Sequence, residues 1–184
     1  MRLLLLGLLI FMGPSYAYEV LDIDVWYEQE QYRIELEILI DVPEEYAEAA
    51  LLDFERLGEL NTSIRKIRVL TSADPGATRI ESEIHSCAWF RCVDLRRVED
   101  VRRLQPGLIV ANTLPEFSDF HMGYSEWTLQ SWGNQTHILY HAAFSPTKGE
   151  VPVVGHMIAK RVIKREALKT YQNLEARYLN ESSP

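Results

Sequence analysis

The chain has 184 residues, 47% hydrophobic and 25% charged, the proportions of one ordinary globular domain whose core is large enough to stand without staples. A net charge of −8 at pH 7 and the lack of a glycine-rich phosphate loop argue against nucleic acid as a partner. No apolar run in the sequence reaches the length of a membrane-spanning helix.

Residues 1–17 read as a secretory signal peptide. Arg2 supplies the positive end, Leu3 to Met12 the apolar run, Gly13-Pro14 the break, and Ser15-Tyr16-Ala17 the small residues of a cleavage site. Cleavage would leave residues 18–184 as the mature domain and, by removing Arg2, shift the net charge from −8 to −9. No Cys follows Ala17, so a lipoprotein anchor is not expected, and the expected location is a bacterial periplasm. The sequons at Asn61, Asn134 and Asn180 are then chance occurrences.

Val20 to Glu28 and Tyr32 to Ile40 are predicted as a β-hairpin around Gln29-Glu30-Gln31, the second strand alternating Ile34, Leu36, Ile38 and Ile40 with charged residues. Asp41-Val42-Pro43-Glu44-Glu45 signals a helix start, with Asp41 or a neighbour as cap. That helix is predicted to end near Gly58, with a further short turn over Arg56 to Leu60. Strands follow over about Ile64–Leu70, Ala77–Ser86, Phe90–Arg102, Gly107–Leu114, Gly123–Ser131 and Thr136–Phe144, separated by turns such as Asp74-Pro75-Gly76 and Gly133-Asn134. A long helix to about Leu179 closes the chain, with an apolar stripe through Met157, Leu168, Tyr171, Leu174 and Tyr178.

Strand parity places Ile80, Ile84, Trp89, Val93, Leu108, Val110, Leu114, Trp127, Leu129, Ile138 and Tyr140 on one inward face, together with the polar Ser82, Asn112 and Ser125. The inward aromatics are either core or the lining of a cavity. Cys87 and Cys92 fall at facing outward positions of a hairpin, and a structural disulfide is expected; C-x4-C lacks the spacing of a redox C-x-x-C motif. His137 and His141, four apart on a strand, sit roughly 13 Å apart along it, too far to share an ion. No metal, cofactor or catalytic residue is expected. Asp119, two residues before His121, suggests a bend more than an acid–base pair, since the segment is irregular and no strand–turn–helix nucleophile elbow surrounds it. Lys160 and Lys164 lie on the apolar stripe of the closing helix, either snorkelling to water or forming a cationic rim for an acidic headgroup or an anionic lipid surface.

The order strand, Asp41-Val42-Pro43-Glu44, helix through Leu52-Asp53-Phe54-Glu55-Arg56-Leu57, then Ile64-Arg65-Lys66-Ile67-Arg68-Val69-Leu70, resembles the opening of the START-like, or SRPBCC (polyketide cyclase and lipid-transport), superfamily. Ser118-Asp119-Phe120-His121-Met122-Gly123, Glu126-Trp127-Thr128-Leu129 and Lys160 through Leu174 are similar to its last strands and closing helix. The resemblance implies an α+β helix-grip fold, with a curved antiparallel sheet of seven or eight strands wrapped on the C-terminal helix. It implies an apolar cavity between them and a hydrophobic small molecule or lipid as ligand, with no particular catalytic residue. On that reading Ser82, Trp89, Asn112, Trp127 and Tyr140 would line the cavity, with Lys160 and Lys164 at its mouth. The chain would act as a monomeric periplasmic carrier that touches a membrane surface transiently. Two alternatives stand beside it: a cyclase, dehydratase or hydrolase of the same fold, which needs an acid or base inside, and a filled-core module acting on another envelope protein.

Overall fold

The computed structural model describes residues 18–88, 91–147 and 153–182; residues 1–17, with the expected leader, and Trp89 lie outside them. Eight strands are described: β1 (Glu19–Glu28), β2 (Gln31–Ile40), β3 (Ile64–Leu70), β4 (Thr78–Ala88), β5 (Arg91–Gln105), β6 (Leu108–Thr113), β7 (Phe120–Trp132) and β8 (Gln135–Pro146). They form one sheet in the order β1-β2-β8-β7-β6-β5-β4-β3, every pair antiparallel. Helix α1 (Glu44–Leu52) and the short α2 (Leu57–Leu60) connect β2 to β3, and the 30-residue α3 (Val153–Ser182) closes the chain. This is the helix-grip fold.

The period-two pattern of β2 decides its facing: Tyr32, Ile34, Leu36, Ile38 and Ile40 are all buried. The hairpin before it closes between Glu28 and Gln31, with Gln29 and Glu30 at φ 50° and 61°. Both turn residues are left-handed, as a type I′ turn requires, although neither is glycine. The core lies between the concave face and the helices, where Ile38, Ile138, Leu60 and Leu174 have no exposed surface and Tyr171 has 2%.

Four sequence expectations change. Pro43, not Asp41, occupies the cap of α1 with no side-chain cap bond, and the Asp41 N–H donates instead to Glu175 Oε1 at 2.8 Å. Helix α1 stops at Leu52, because Asp53 leaves helical geometry (φ −79°, ψ 74°) and its carboxylate accepts from Arg177 at 2.7 Å. On β6 the facing is the reverse of that expected. Glu99 pairs with Thr113 and Val101 with Ala111, so Ile109, Ala111 and Thr113 face inward, while Leu108, Val110 and Asn112 face outward. A register shift between Arg103 and Gln105 precedes β6, and Ile109, Val110 and Ala111 are buried in succession, so its sequence has no alternation to read. Met157, expected on the apolar stripe of α3, is 63% exposed.

Candidate functional site

Between the concave face, the α1–α2 segment and α3 lies a cavity of about 120 Å³. Leu51, Phe54, Leu57 and Leu60 form its helical roof, Ala167, Thr170 and Tyr171 its α3 wall, and Ile80, Val101, Ile109 and Ala111 much of the sheet floor. Into this apolar shell β4 and β5 insert three polar side chains, Ser82, Arg97 and Glu99. Their placement follows from register: Ser82 pairs with Arg97 and Ile80 with Glu99, so all share the inward face of a twisted antiparallel pair.

Arg97 Nε lies 2.9 Å from Glu99 Oε2, and the Glu99 side chain is only 5% exposed. The ion pair leaves bonding capacity free: the Arg97 Nε–H is not directed at any acceptor among the described residues, and Ser82 Oγ, on a residue 1% exposed, also has no partner there. Thr113 Oγ1 donates to Glu99 Oε1 at 3.4 Å. Room for Thr113 comes from Gly123, where a Cβ would come within 2.1 Å of Thr113 Oγ1. Tyr140 stands over this group, its ring 5.0 Å from that of Trp127. Burial pushes the Tyr140 hydroxyl upward in pKa; the Ser125 hydroxyl and the Arg97 charge pull it down, and Glu99 adds to the rise. Burial also holds the Tyr171 phenol well above its ordinary range, reinforced by Tyr140 and opposed by a hydrogen bond from the Trp127 indole. The cavity is therefore a neutral apolar chamber with one charged pair and a neutral phenol at its floor.

Of the residues expected there, Ser82, Trp127 and Tyr140 line the cavity. Asn112 does not, since it faces away on β6 between Asp100 and Tyr124. Lys160 and Lys164 do not line it either. Lys164 is exposed, and its Nζ donates to the Ile23 carbonyl on β1 at 3.4 Å, while Lys160 lies about 10 Å along α3 from Ala167 at 1.5 Å per residue. The cation of the site is Arg97, and the sequence reading missed it together with Glu99. The signal was present, because the inward phase of Val93 carried forward in steps of two reaches Leu95, Arg97 and Glu99.

Other polar candidates lie elsewhere. Asp119 Oδ2 accepts from the Arg96 N–H at 2.9 Å, His121 is exposed, and Glu126 accepts from the Tyr124 hydroxyl. His137 and His141 face Glu37 and Glu35 on the outer surface of β2. Cys87 and Cys92 face each other across β4 and β5 and are joined in a disulfide.

No family model and no curated protein sequence matches this chain. Solved structures do match it in fold. A Thermus thermophilus protein superposes with a TM-score of 0.67 at 18% identity, over 82% of this chain and 99% of that one. The Zhui aromatase/cyclase from Streptomyces gives 0.64 at 13% identity, over 83% and 96%. A START superfamily protein from Mycobacterium smegmatis gives 0.64 at 14% identity, over 82% and 99%. The chain thus has the START-like fold over nearly the whole length of each.

Proposed function

We propose that this protein binds a hydrophobic small molecule carrying one compact polar group, and that the polar group docks on Arg97 and Ser82. The observation that carries this reading is the unpartnered Ser82 Oγ, facing the Arg97–Glu99 ion pair on the floor of an otherwise apolar cavity. A buried polar group without a partner costs on the order of 1–3 kcal/mol, a cost that a ligand acceptor relieves. Apolar burial would add roughly 25 cal/mol per Å². The START-like neighbours, among them an aromatase/cyclase, support the same class of ligand.

At about 120 Å³ the chamber holds a group the size of one aromatic ring, below the roughly 300 Å³ at which pockets for drug-sized ligands begin. A lipid or polycyclic ligand therefore requires the roof to lift. The roof is residues 51–60, which makes this segment the gate. In this proposal the leader sends the chain to a periplasm, where the mature monomer takes up its ligand from a membrane surface that it touches only briefly.

Glu99 favours a second reading. A carboxylate beside an arginine and a phenol is the kind of group that the cyclase or dehydratase alternative needs inside the cavity. Native mass spectrometry of the mature protein from its host separates the readings. Binding predicts an added mass that is lost on denaturation, and weakening of about tenfold in Arg97→Gln and in Trp127→Ala. Chemical change of the bound molecule that stops in Glu99→Gln would establish the enzyme. A clean apo mass, with no uptake from a host lipid extract, would sink the binding reading and leave the enzyme and the filled-core module.

A further inference from the structure

At the β4–β5 hairpin, on the outer face remote from the cavity, three side chains form a line. Asp94 Oδ1 lies 2.6 Å from His85 Nδ1, and His85 Nε2 lies 3.1 Å from the Cys87 sulfur of the Cys87–Cys92 disulfide. Register builds the line: His85 pairs with Asp94 and Cys87 with Cys92, and residues two apart on β4 share a face. The two sulfurs are not equivalent. Cys92 is exposed, whereas Cys87 is half-buried beside the imidazole. A disulfide that only staples a hairpin has no use for a carboxylate-oriented imidazole at one of its sulfurs.

We propose that Cys87–Cys92 is a thiol–disulfide exchange site polarised by His85, with Cys92 as the sulfur attacked and Cys87 as the leaving group. An external thiolate attacks Cys92 Sγ along the sulfur–sulfur axis. A new bond joins the two, the Cys87–Cys92 bond breaks, and its electron pair stays on Cys87 Sγ as a thiolate. Protonated His85 stabilises that thiolate through Nε2–H. A second thiolate attacks the external sulfur of the mixed disulfide and releases the oxidised reagent with Cys92 as thiolate. Two thiols are oxidised and one disulfide is reduced. Exchange is faster when the leaving thiol is the more acidic, and an adjacent imidazolium acidifies a thiol. Asp94 acts through His85 as a positioning residue: its carboxylate holds the Nδ1–H and turns Nε2 toward sulfur. The next charges along this face are the outward pair Glu83 and Arg96 on β4 and β5 and Lys66 of β3, which pairs with Glu83 at 3.4 Å; beyond them Glu81 binds Arg96 and Arg68, and Asp119 accepts the Arg96 N–H.

The test uses the oxidised mature protein and reduced glutathione at pH 7. Reduction of the parent is expected to be about tenfold faster than that of His85→Gln, and the two rates should coincide in guanidinium, where the line is dismantled. Asp94→Asn should move the pH profile of the rate. In Cys92→Ser, the absorbance of the remaining Cys87 thiolate at 240 nm should titrate below the ordinary value of about 8.5 and return to it when His85→Gln is added. Equal or faster reduction of His85→Gln in the folded state, or an ordinary titration of Cys87, overturns the proposal and leaves a plain hairpin staple.

Discussion

Glu175 on α3 is 2% exposed and accepts the Asp41 N–H at 2.8 Å. Burial raises its carboxyl pKa, the Asp41 charge adds to the rise, and the Asp41 and Tyr18 N–H groups oppose it. A carboxyl raised in the folded state is protonated there at a pH where the unfolded chain has already ionised, near 4.3. Stability therefore falls as pH rises through this window. Glu175→Gln keeps an acceptor for the Asp41 N–H and removes the charge. It is expected to gain stability relative to the parent between pH 4 and pH 8, as read from urea midpoints; an unchanged difference across that range would contradict the assignment. Residue identity at the cavity was legible wherever a strand alternates: Ser82, Trp127 and Tyr140 follow from simple parity. Arg97 and Glu99 escaped because charged residues on a strand are ordinarily read as its wet face, even though the phase of Val93 reaches them, and the cross-strand partners Ser82 and Ile80 show them turned inward.

The β1–β2 hairpin was legible as an element, but its turn chemistry was not. Gln29 and Glu30 both adopt the left-handed region, where a side-chain-bearing residue is disfavoured by roughly 1 kcal/mol or more. The turn is imposed by the strands it joins, whose inward residues Val25, Ile34 and Leu36 are fixed by burial. Replacing the pair by Asn-Gly is expected to raise stability by about 1 kcal/mol, measured by thermal or urea denaturation; no gain would mean that the two side chains contribute more than their backbone costs. Strand β6 shows the opposite limit. Its existence was plain from Gly107 to Leu114, but its facing was hidden, because Ile109, Val110 and Ala111 are buried in succession and leave no alternation to read. That single ambiguity moved Asn112 to the wrong face. Helix α1 ended early for a tertiary reason, the hold of Arg177 on Asp53, which lies 124 residues away in sequence.

Across the whole molecule, paired carboxylates tie the outer surface and the loops together. Arg79 binds Asp100 through two contacts of 2.8 Å and holds its pKa down. Burial would raise Glu48, but the paired contacts from Arg103 at 2.6 Å and the Gly107 N–H outweigh it and leave the carboxyl lowered. Glu81, between Arg68 and Arg96, shows the same balance. A depressed carboxyl contributes stability that is complete above its unfolded pKa, about 4, and is lost as pH falls through the folded value. Stability should therefore decline below about pH 4, and Glu48→Gln should shallow the decline; an acid limb identical to the parent's would place the loss elsewhere. The order of elements and the long closing helix were legible because periodicity and turn signals act locally. The size of the cavity was not, since it depends on how closely residues 51–60 pack onto the sheet.

The two ends of α3 are fastened by different chemistry. Near its start, the His156 ring stacks on Tyr27 at 3.8 Å and its Nδ1 bonds the Tyr32 hydroxyl at 2.8 Å. Near its finish, Arg177 grips Asp53, while Glu181 joins Arg56 at 2.9 Å and Tyr46 at 2.6 Å. Dissolved ions screen the second fastening and barely touch the first. The ionic end is the one that holds α1 and α2, whose residues roof the cavity. Raising ionic strength is thus expected to slacken the roof while the helix stays attached at its aromatic end, and, on the binding proposed above, the medium itself would set how quickly the chamber exchanges its contents.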